Sequence, residues 1–254
     1  MERVIYENNP IVETIIQIRF PKILSLNSED PIKFQEAIKE QYPIYRLSIE
    51  RQQEISIESP DSPPSIIQKT PVKNHNFISS DGTYKINLTS SFISISTVRY
   101  VRWETMLDKF SDPLKRFLEI YNPPFVNRIG LRYIDAFSKQ KLSLEDEPWN
   151  QLINPPYLGA FTNLDETNII NSNVEFEYFL DDKKSRAKIH TGLGHLENNP
   201  ETMFVIDSDF IRIDTISTAS ILEVLNYLHT EEKRFIRSVI TDKLHYAMKP
   251  GSVE

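Results

Sequence analysis

Three arginines and a glutamine in two similar segments are the residues whose type and spacing favour anion recognition. The segments 15–20 (Ile-Ile-Gln-Ile-Arg-Phe) and 128–133 (Arg-Ile-Gly-Leu-Arg-Tyr) are typical of β-strands, in which successive side chains point to opposite faces. This alternation predicts one polar face that carries Gln17, Arg19, Arg128 and Arg132. Planar guanidinium groups bind carboxylate or phosphate through paired hydrogen bonds, so these residues form a candidate anion site. The alternative is that the arginines pair with acidic side chains of the same chain.

A group of acidic residues is the best candidate for a divalent cation site. Asp207, Asp209 and Asp214, together with Glu201, could supply carboxylate oxygens. The favoured interpretation is a hairpin turn at Asp207-Ser208-Asp209, because aspartate stabilises turns through local hydrogen bonds. No metal site is therefore predicted.

Neither the histidines nor the glycines indicate an enzyme. His190 and His195 lie five residues apart and would point to opposite faces of a strand, which disfavours a shared metal ion. The chain has 6 glycines in 254 residues and contains neither a Walker-type nor a Gly-x-Ser-x-Gly sequence. We therefore expect no catalytic residues and no cofactor, although residues from distant positions can still converge on an active site.

The composition is that of an ordinary soluble protein. Hydrophobic residues make up 39% of the chain and aromatic residues 11%, which is enough for a packed core. The formal charge of −7 disfavours binding to nucleic acid and to anionic membranes. No apolar run approaches the roughly 20 residues of a membrane span, the first residues lack the features of a secretion signal, and cysteine is absent. We expect a cytoplasmic protein without disulfides.

A repeated strand pattern predicts two similar halves. Residues 92–97 and 210–215 share the pattern Phe-Ile-x-Ile-x-Thr, which makes Phe92 and Phe210 equivalent, and a helical pattern follows each copy. The first helical pattern places five large apolar residues on one stripe: Trp103, Leu107, Phe110, Leu114 and Phe117. These residues are expected to face a sheet.

The order of elements predicts an α+β fold. We expect a single domain over residues 1–254, built from two pseudo-repeats at 11–121 and 125–248, each with a strand, a short helix, four antiparallel strands and a long helix. The first repeat contains a proline-rich turn at residues 59–64. The strands would form one curved antiparallel sheet, covered on one face by the long helices. This topology resembles a duplicated helix-grip fold, like the saddle of the TATA-binding protein, but a fold does not carry a function with it.

Three segments carry a resemblance to a known family. They are Tyr6 with Asn9-Pro10-Ile11-Val12-Glu13, Arg128-Ile129-Gly130-Leu131-Arg132-Tyr133-Ile134-Asp135, and Phe235 with Ile240-Thr241 and Leu244. With these segments the chain resembles a sporadically distributed family of bacterial proteins that has no established activity. The resemblance implies a mobile accessory system, such as phage defence or a toxin–antitoxin module.

The sequence therefore favours a non-enzymatic binding or assembly component that has a protein partner. The alternative is a domain that binds or hydrolyses a small anionic molecule or a nucleotide on the arginine-bearing face. No pattern indicates which partner is bound or what the oligomeric state is.

Overall fold

The computed structural model describes residues 4–50, 53–56, 65–68, 71–196 and 199–252. The predicted proline-rich turn at residues 59–64 lies outside these ranges. The strands are β1 (Val4–Tyr6), β2 (Ile11–Arg19), β3 (Ile44–Glu50), β4 (Gln53–Ser56), β5 (Ser65–Gln68), β6 (Val72–Ile78), β7 (Tyr84–Leu88), β8 (Phe92–Thr97), β9 (Val126–Phe137), β10 (Asn173–Phe179), β11 (Ser185–Gly194), β12 (Met203–Ile216) and β13 (Pro250–Ser252). The helices are α1 (Ser25–Ser28), α2 (Ile32–Ile38), α3 (Trp103–Tyr121), α4 (Lys139–Leu142), α5 (Ile221–Val239) and α6 (Asp242–Ala247). Short 3-10 helices lie between α4 and β10 and immediately before α5.

The protein is a mixed α and β structure built on one large open sheet. Nine antiparallel strands follow the order β10-β11-β12-β9-β2-β8-β7-β6-β3. Strand β1 pairs with β13, and β4 pairs with β5, in two small separate sheets. The strands β2 and β9, which begin the two predicted halves, are therefore neighbours in the middle of the large sheet.

The pairing of β2 with β9 confirms the predicted alternation of faces. Ile18 lies opposite Ile129, and both side chains are fully buried. Gln17 lies opposite Gly130, and Arg19 lies opposite Arg128, on the other face of the same two strands. Side chains alternate between the two faces of a strand, so the apolar residues lie on the buried face and the polar residues between them share the opposite face.

Each of the two long helices packs an aromatic ring against a phenylalanine in a strand of the large sheet or directly after one. In α3 the ring of Phe117 packs on Phe20 with a centroid distance of 4.6 Å, and Phe110 is 1% exposed. In α5 the ring of Phe235 packs edge-on against Phe210 at 6.0 Å. Four of the five predicted stripe residues of α3 are buried, whereas Leu107 is only partly buried.

The predicted hairpin turn at Asp207-Ser208-Asp209 is wrong. These residues lie inside the continuous strand β12, which pairs with β11 and β9 along the whole segment. Ile206, Ser208 and Phe210 are each 0% exposed, so the alternation of a strand continues through the aspartates. The carboxylates point to the opposite face, where they meet arginines of β9. Long-range pairing therefore overrides the local preference of aspartate for turns.

The predicted count of four strands after the short helix is consequently wrong for the second half. Only β10, β11 and β12 of the described residues follow there, because the expected two-stranded hairpin is the single strand β12. In the first half, β3, β6, β7 and β8 of the large sheet follow α2.

The predicted equivalence of Phe92 and Phe210 is also wrong. Strand β8 lies beside β2 as β12 lies beside β9, but Phe92 is opposite Arg19 and Phe210 is opposite Leu131. The two phenylalanines therefore belong to opposite faces of the sheet. A shift of one residue in register moves every side chain of a strand to the opposite face. Two six-residue segments can therefore share a sequence pattern and still differ in which side chains they bury.

Candidate functional site

The predicted anion-binding residues form ion pairs within the chain at two of three positions. Arg132 donates to both carboxylate oxygens of Asp207, with Nε–Oδ1 at 2.6 Å and Nη2–Oδ2 at 2.5 Å. Arg128 donates from Nη2 to Asp209 at 2.8 Å and from Nη1 to the side-chain oxygen of Gln17 at 3.0 Å. For Arg128 and Arg132, pairing with the chain's own carboxylates is therefore the correct alternative.

Arg19 is the arginine of this face that has a neutral partner. Its Nε donates to Gln17 Oε1 at 2.8 Å, and its guanidinium carbon lies 6.0 Å from the centroid of the Phe92 ring. Among the described residues no carboxylate lies within ion-pair distance of Arg19, and its side chain is exposed. Of the predicted set, Arg19 is thus the residue best placed to meet an external anion.

The Arg128–Asp209 pair combines favourable attraction with a large loss of hydration. Burial lowers the pKa of Arg128 and raises the pKa of Asp209, although each charge favours the ionised form of the other. The guanidinium also lies directly over Gly130, where an added Cβ atom would stand 2.6 Å from Arg128 Nη1. Desolvation of such a pair can cancel its Coulomb energy, so the pair positions the side chains more than it stabilises the fold.

A second site, which the sequence patterns did not predict, is a cavity near the C-terminal end of β9. The cavity has a volume of about 270 Å³ and lies between β1, the start of β2, the start of α3, β9, α5 and α6. We call it the acidic pocket, and it is defined by Tyr6, Tyr100, Trp103, Tyr133, Asp135 and Glu232. Aliphatic and aromatic side chains make up most of its walls and its two carboxyl groups are buried, which is the composition of a small-molecule site with a few convergent polar groups.

The two carboxyl groups of the acidic pocket are buried, and among the described residues no lysine or arginine lies within ion-pair distance of them. Asp135 is 1% exposed, its Oδ2 has no hydrogen-bond partner within the same residues, and burial raises its pKa to about 7. Glu232 is 5% exposed, and its Oε2 lies 4.0 Å from Nδ1 of His229. Burial, followed by the negative charge of Asp135, raises the pKa of Glu232 well above its usual value. The pocket therefore holds an incompletely satisfied acid pair, which is uncommon in a protein interior.

Hydrogen bonds and ring stacking hold the aromatic walls in place. Trp103 stacks on His229 with a centroid distance of 4.4 Å and donates from Nε1 to Asn226 Oδ1 at 2.8 Å. The Tyr133 hydroxyl lies 3.1 Å from Nδ1 of the same histidine. The Tyr6 hydroxyl is hydrogen bonded to a histidine of α6. These contacts preorganise the walls, so a ligand would pay little to order them.

The sequence contains two signals for the acid pair. Asp135 follows Tyr133 on the buried side of the alternating strand β9. Glu232 occupies a place in the apolar stripe of α5, whose other members are Leu225, Leu228, Phe235 and Val239. A carboxylate at a position that its element buries is unfavourable unless it has a role, and the amino-acid pattern of each element already contains that mismatch.

No protein-family model matches the chain, and no curated protein is significantly similar to it. In the part of the chain that the structure describes, no helix combines the length and the apolar character needed to cross a membrane. Within the same residues, no three His, Asp or Glu side chains converge in an arrangement that could hold a metal ion. The chemistry of the two sites is therefore the basis from which a function can be inferred.

Proposed function

We propose that this protein is a non-enzymatic binding component that holds a small molecule in the acidic pocket. The observation that carries the proposal is the carboxyl group of Asp135, a residue of the pocket lining, whose buried Oδ2 atom has no hydrogen-bond partner among the described residues. A buried acceptor left without a donor costs about 1–3 kcal/mol. A ligand that donates a hydrogen bond to this atom would recover that energy only when it is bound.

The resemblance to a bacterial family supports the choice of the acidic pocket. Two of the segments that carry the resemblance contribute to its lining, through Tyr6, Asn9 and Pro10 in one and Tyr133 and Asp135 in the other. We propose that ligand binding at this pocket serves a mobile accessory system, in which the protein acts with a protein partner. The resemblance to the bacterial family supports the accessory system as the biological setting.

The pocket and the charged face lie on opposite faces of β9, because Tyr133 and Asp135 alternate along the strand with Arg128 and Arg132. We propose that residues 11–121 and 125–248 are pseudo-repeats of one domain, joined along β2 and β9. The matching places of β8 and β12, and the packing of α3 on Phe20 and of α5 on Phe210, support this proposal. In this arrangement the long helices cover one face of the sheet and leave the arginine-bearing face open.

The second candidate function is anion binding on that open face, and Arg19 favours it. Its neighbours Gln17 and Phe92 leave the exposed guanidinium without a carboxylate among the described residues. A phosphate or carboxylate of a small molecule or of a partner could pair with it. Because Arg128 and Arg132 are already paired, this site would supply one cation rather than three.

Thermal denaturation in the presence of metabolite pools tests the proposal. A specific ligand at one hundred times its dissociation constant stabilises a protein by about 2.7 kcal/mol. We expect a ligand that stabilises the wild type and has little effect on Asp135→Asn, while Arg19→Gln responds like the wild type. Equal stabilisation of the wild type and Asp135→Asn would refute the acidic pocket as the site. Loss of the response in Arg19→Gln alone would instead select the anion site.

A further inference from the structure

The charges that line the acidic pocket change sign from its floor to its mouth. The carboxyl groups of Asp135 and Glu232 are almost completely buried, at 1% and 5% exposure. The basic residues of the lining are more accessible, since Lys233 and Arg237 are half-buried and Arg102 is exposed. A ligand that fills the pocket would therefore contact acidic groups at the buried floor and basic groups at the accessible mouth.

Lys233 and Arg102 are the basic residues of the lining that form no ion pair among the described residues, and Lys233 is the more buried of the two. Arg237 forms an ion pair with Asp242 and donates to the carbonyl of Ile240. Arg102 donates from Nε to Thr105 Oγ1 at 3.4 Å. For Lys233, no carboxylate lies within ion-pair distance among the described residues. Its ammonium group can therefore pair with an external anion without breaking an ion pair in that part of the protein.

We infer that the ligand of the acidic pocket is a small zwitterion of the amino-acid type, with its ammonium group against Asp135 and Glu232 and its anionic group at Lys233. The inference rests on the proposed function, because it assigns a ligand class to the same pocket. An ammonium group has three donors and no acceptor, so it suits carboxylate oxygens, and Oδ2 of Asp135 has no hydrogen-bond partner among the described residues. The rings of Tyr100 and Tyr133 also line the pocket, and the face of an aromatic ring attracts a cation.

Other ligand classes fit the lining less well. An anion would face two buried carboxyl groups at the floor, and a simple cation would leave the charge of Lys233 unpaired at the mouth. The volume of about 270 Å³ lies just below the usual range for ligand pockets, roughly 300–1,000 Å³, which favours a molecule the size of an amino acid over a nucleotide.

The test compares matched probes by isothermal titration calorimetry at pH 8. The probes are the standard α-amino acids and the ω-amino acids with two to six carbons, each with the amine that lacks its carboxylate and the acid that lacks its amino group. We expect at least one zwitterion to bind ten times more tightly than its amine, and its acid not to bind. Lys233→Met should reduce that preference to about twofold, because the amine does not use Lys233, and Asp135→Asn should weaken both ligands.

The outcomes separate this inference from the proposed function. If the amine and the zwitterion bind equally to the wild type, Lys233 makes no ligand contact and the zwitterion inference is wrong, while the pocket remains a binding site. If the only ligands whose binding requires Asp135 are neutral or anionic metabolites, the zwitterion inference is likewise wrong and the pocket remains a binding site. If neither these probes nor the metabolite pools bind, both proposals fail. Cooperative thermal unfolding of each free variant at pH 8 controls for misfolding.

Discussion

Replacing Asp135 by asparagine should stabilise the protein increasingly as the pH is raised. The carboxyl group is fully buried in the acidic pocket, where burial raises its pKa from 3.8 to about 7. A raised carboxyl pKa means that the folded state binds the proton more tightly than the unfolded state. The contribution of this proton to stability is complete below about pH 4 and is lost as the pH rises through about 7. Asparagine has a similar shape and no such dependence.

The two pKa values of Asp135 set the size of the effect. The shift from 3.8 to about 7 corresponds to about 4 kcal/mol in full, because each pH unit is worth 1.36 kcal/mol. About 2 kcal/mol of this stabilisation is already lost at pH 5, because the carboxyl group is ionised there in the unfolded state and still protonated in the folded state. The free energy of unfolding of Asp135→Asn relative to the wild type should therefore rise by about 2–3 kcal/mol between pH 5 and pH 8. Any pH-independent cost of the amide cancels in this difference.

Urea denaturation at pH 5 and pH 8 measures this change. The other titratable groups of the pocket are present in both proteins: Glu232, His229, Lys233, Arg237, Arg102, Tyr6, Tyr100, Tyr133 and His245. Removing the charge of Asp135 also lowers the pKa of Glu232, which changes the difference in the same direction. Asp146→Asn is the matched control, because Asp146 is exposed and its substitution should give the same small change at both pH values. A loss of stability in Asp135→Asn that is equal at the two pH values would show that the carboxylate makes a favourable contact, and the argument for an unsatisfied acid pair would fail.

Three further substitutions test the core and the charged face. Phe110→Ala should lower the free energy of unfolding by about 3–5 kcal/mol in urea denaturation, because the ring is 1% exposed. The control Leu222→Ala, at a position 48% exposed, should change it by no more than about 0.5 kcal/mol. Similar losses in the two variants would place the α3 stripe outside the core. Arg132→Ala should cost at most about 1 kcal/mol, since its side chain is 42% exposed. Arg128→Ala should cost about 1–3 kcal/mol, because that side chain is only 20% exposed and its loss leaves Asp209 without its closest cation; a smaller loss than for Arg132→Ala would contradict this ranking.

Local patterns in the sequence predict local structure well and long-range compensation poorly. The alternation in β2 and β9 assigned the faces of Gln17 and Arg19 correctly because the period of a strand is a property of the segment itself. The same reasoning failed at Asp207-Ser208-Asp209, since the partners that allow these aspartates to stay in a strand come from β9, about 75 residues earlier in the chain.

The acidic pocket shows the same limit for function. Its carboxyl groups come from β9 and α5, and its outer wall includes Tyr6 of β1. Each carboxyl group stands out within its own element, but only the packing of the three elements brings these residues to one cavity. The positions of Asp135 on the buried side of β9 and of Glu232 within an apolar stripe were the available clues, because a charge on a buried face is rarely accidental.

The pairing of Gln17 with Gly130 at the middle of β2 and β9 has an evolutionary consequence. If the halves descend from one ancestral unit, that unit would have assembled as a symmetric dimer in which each residue at the two-fold axis faces its own copy. Two glutamines would then have competed for one space, or two glycines would have left it empty. Joining the copies in one chain would have removed that constraint. The protein has a glycine on one side, over which the guanidinium of Arg128 lies, and a glutamine on the other, which accepts its hydrogen bond.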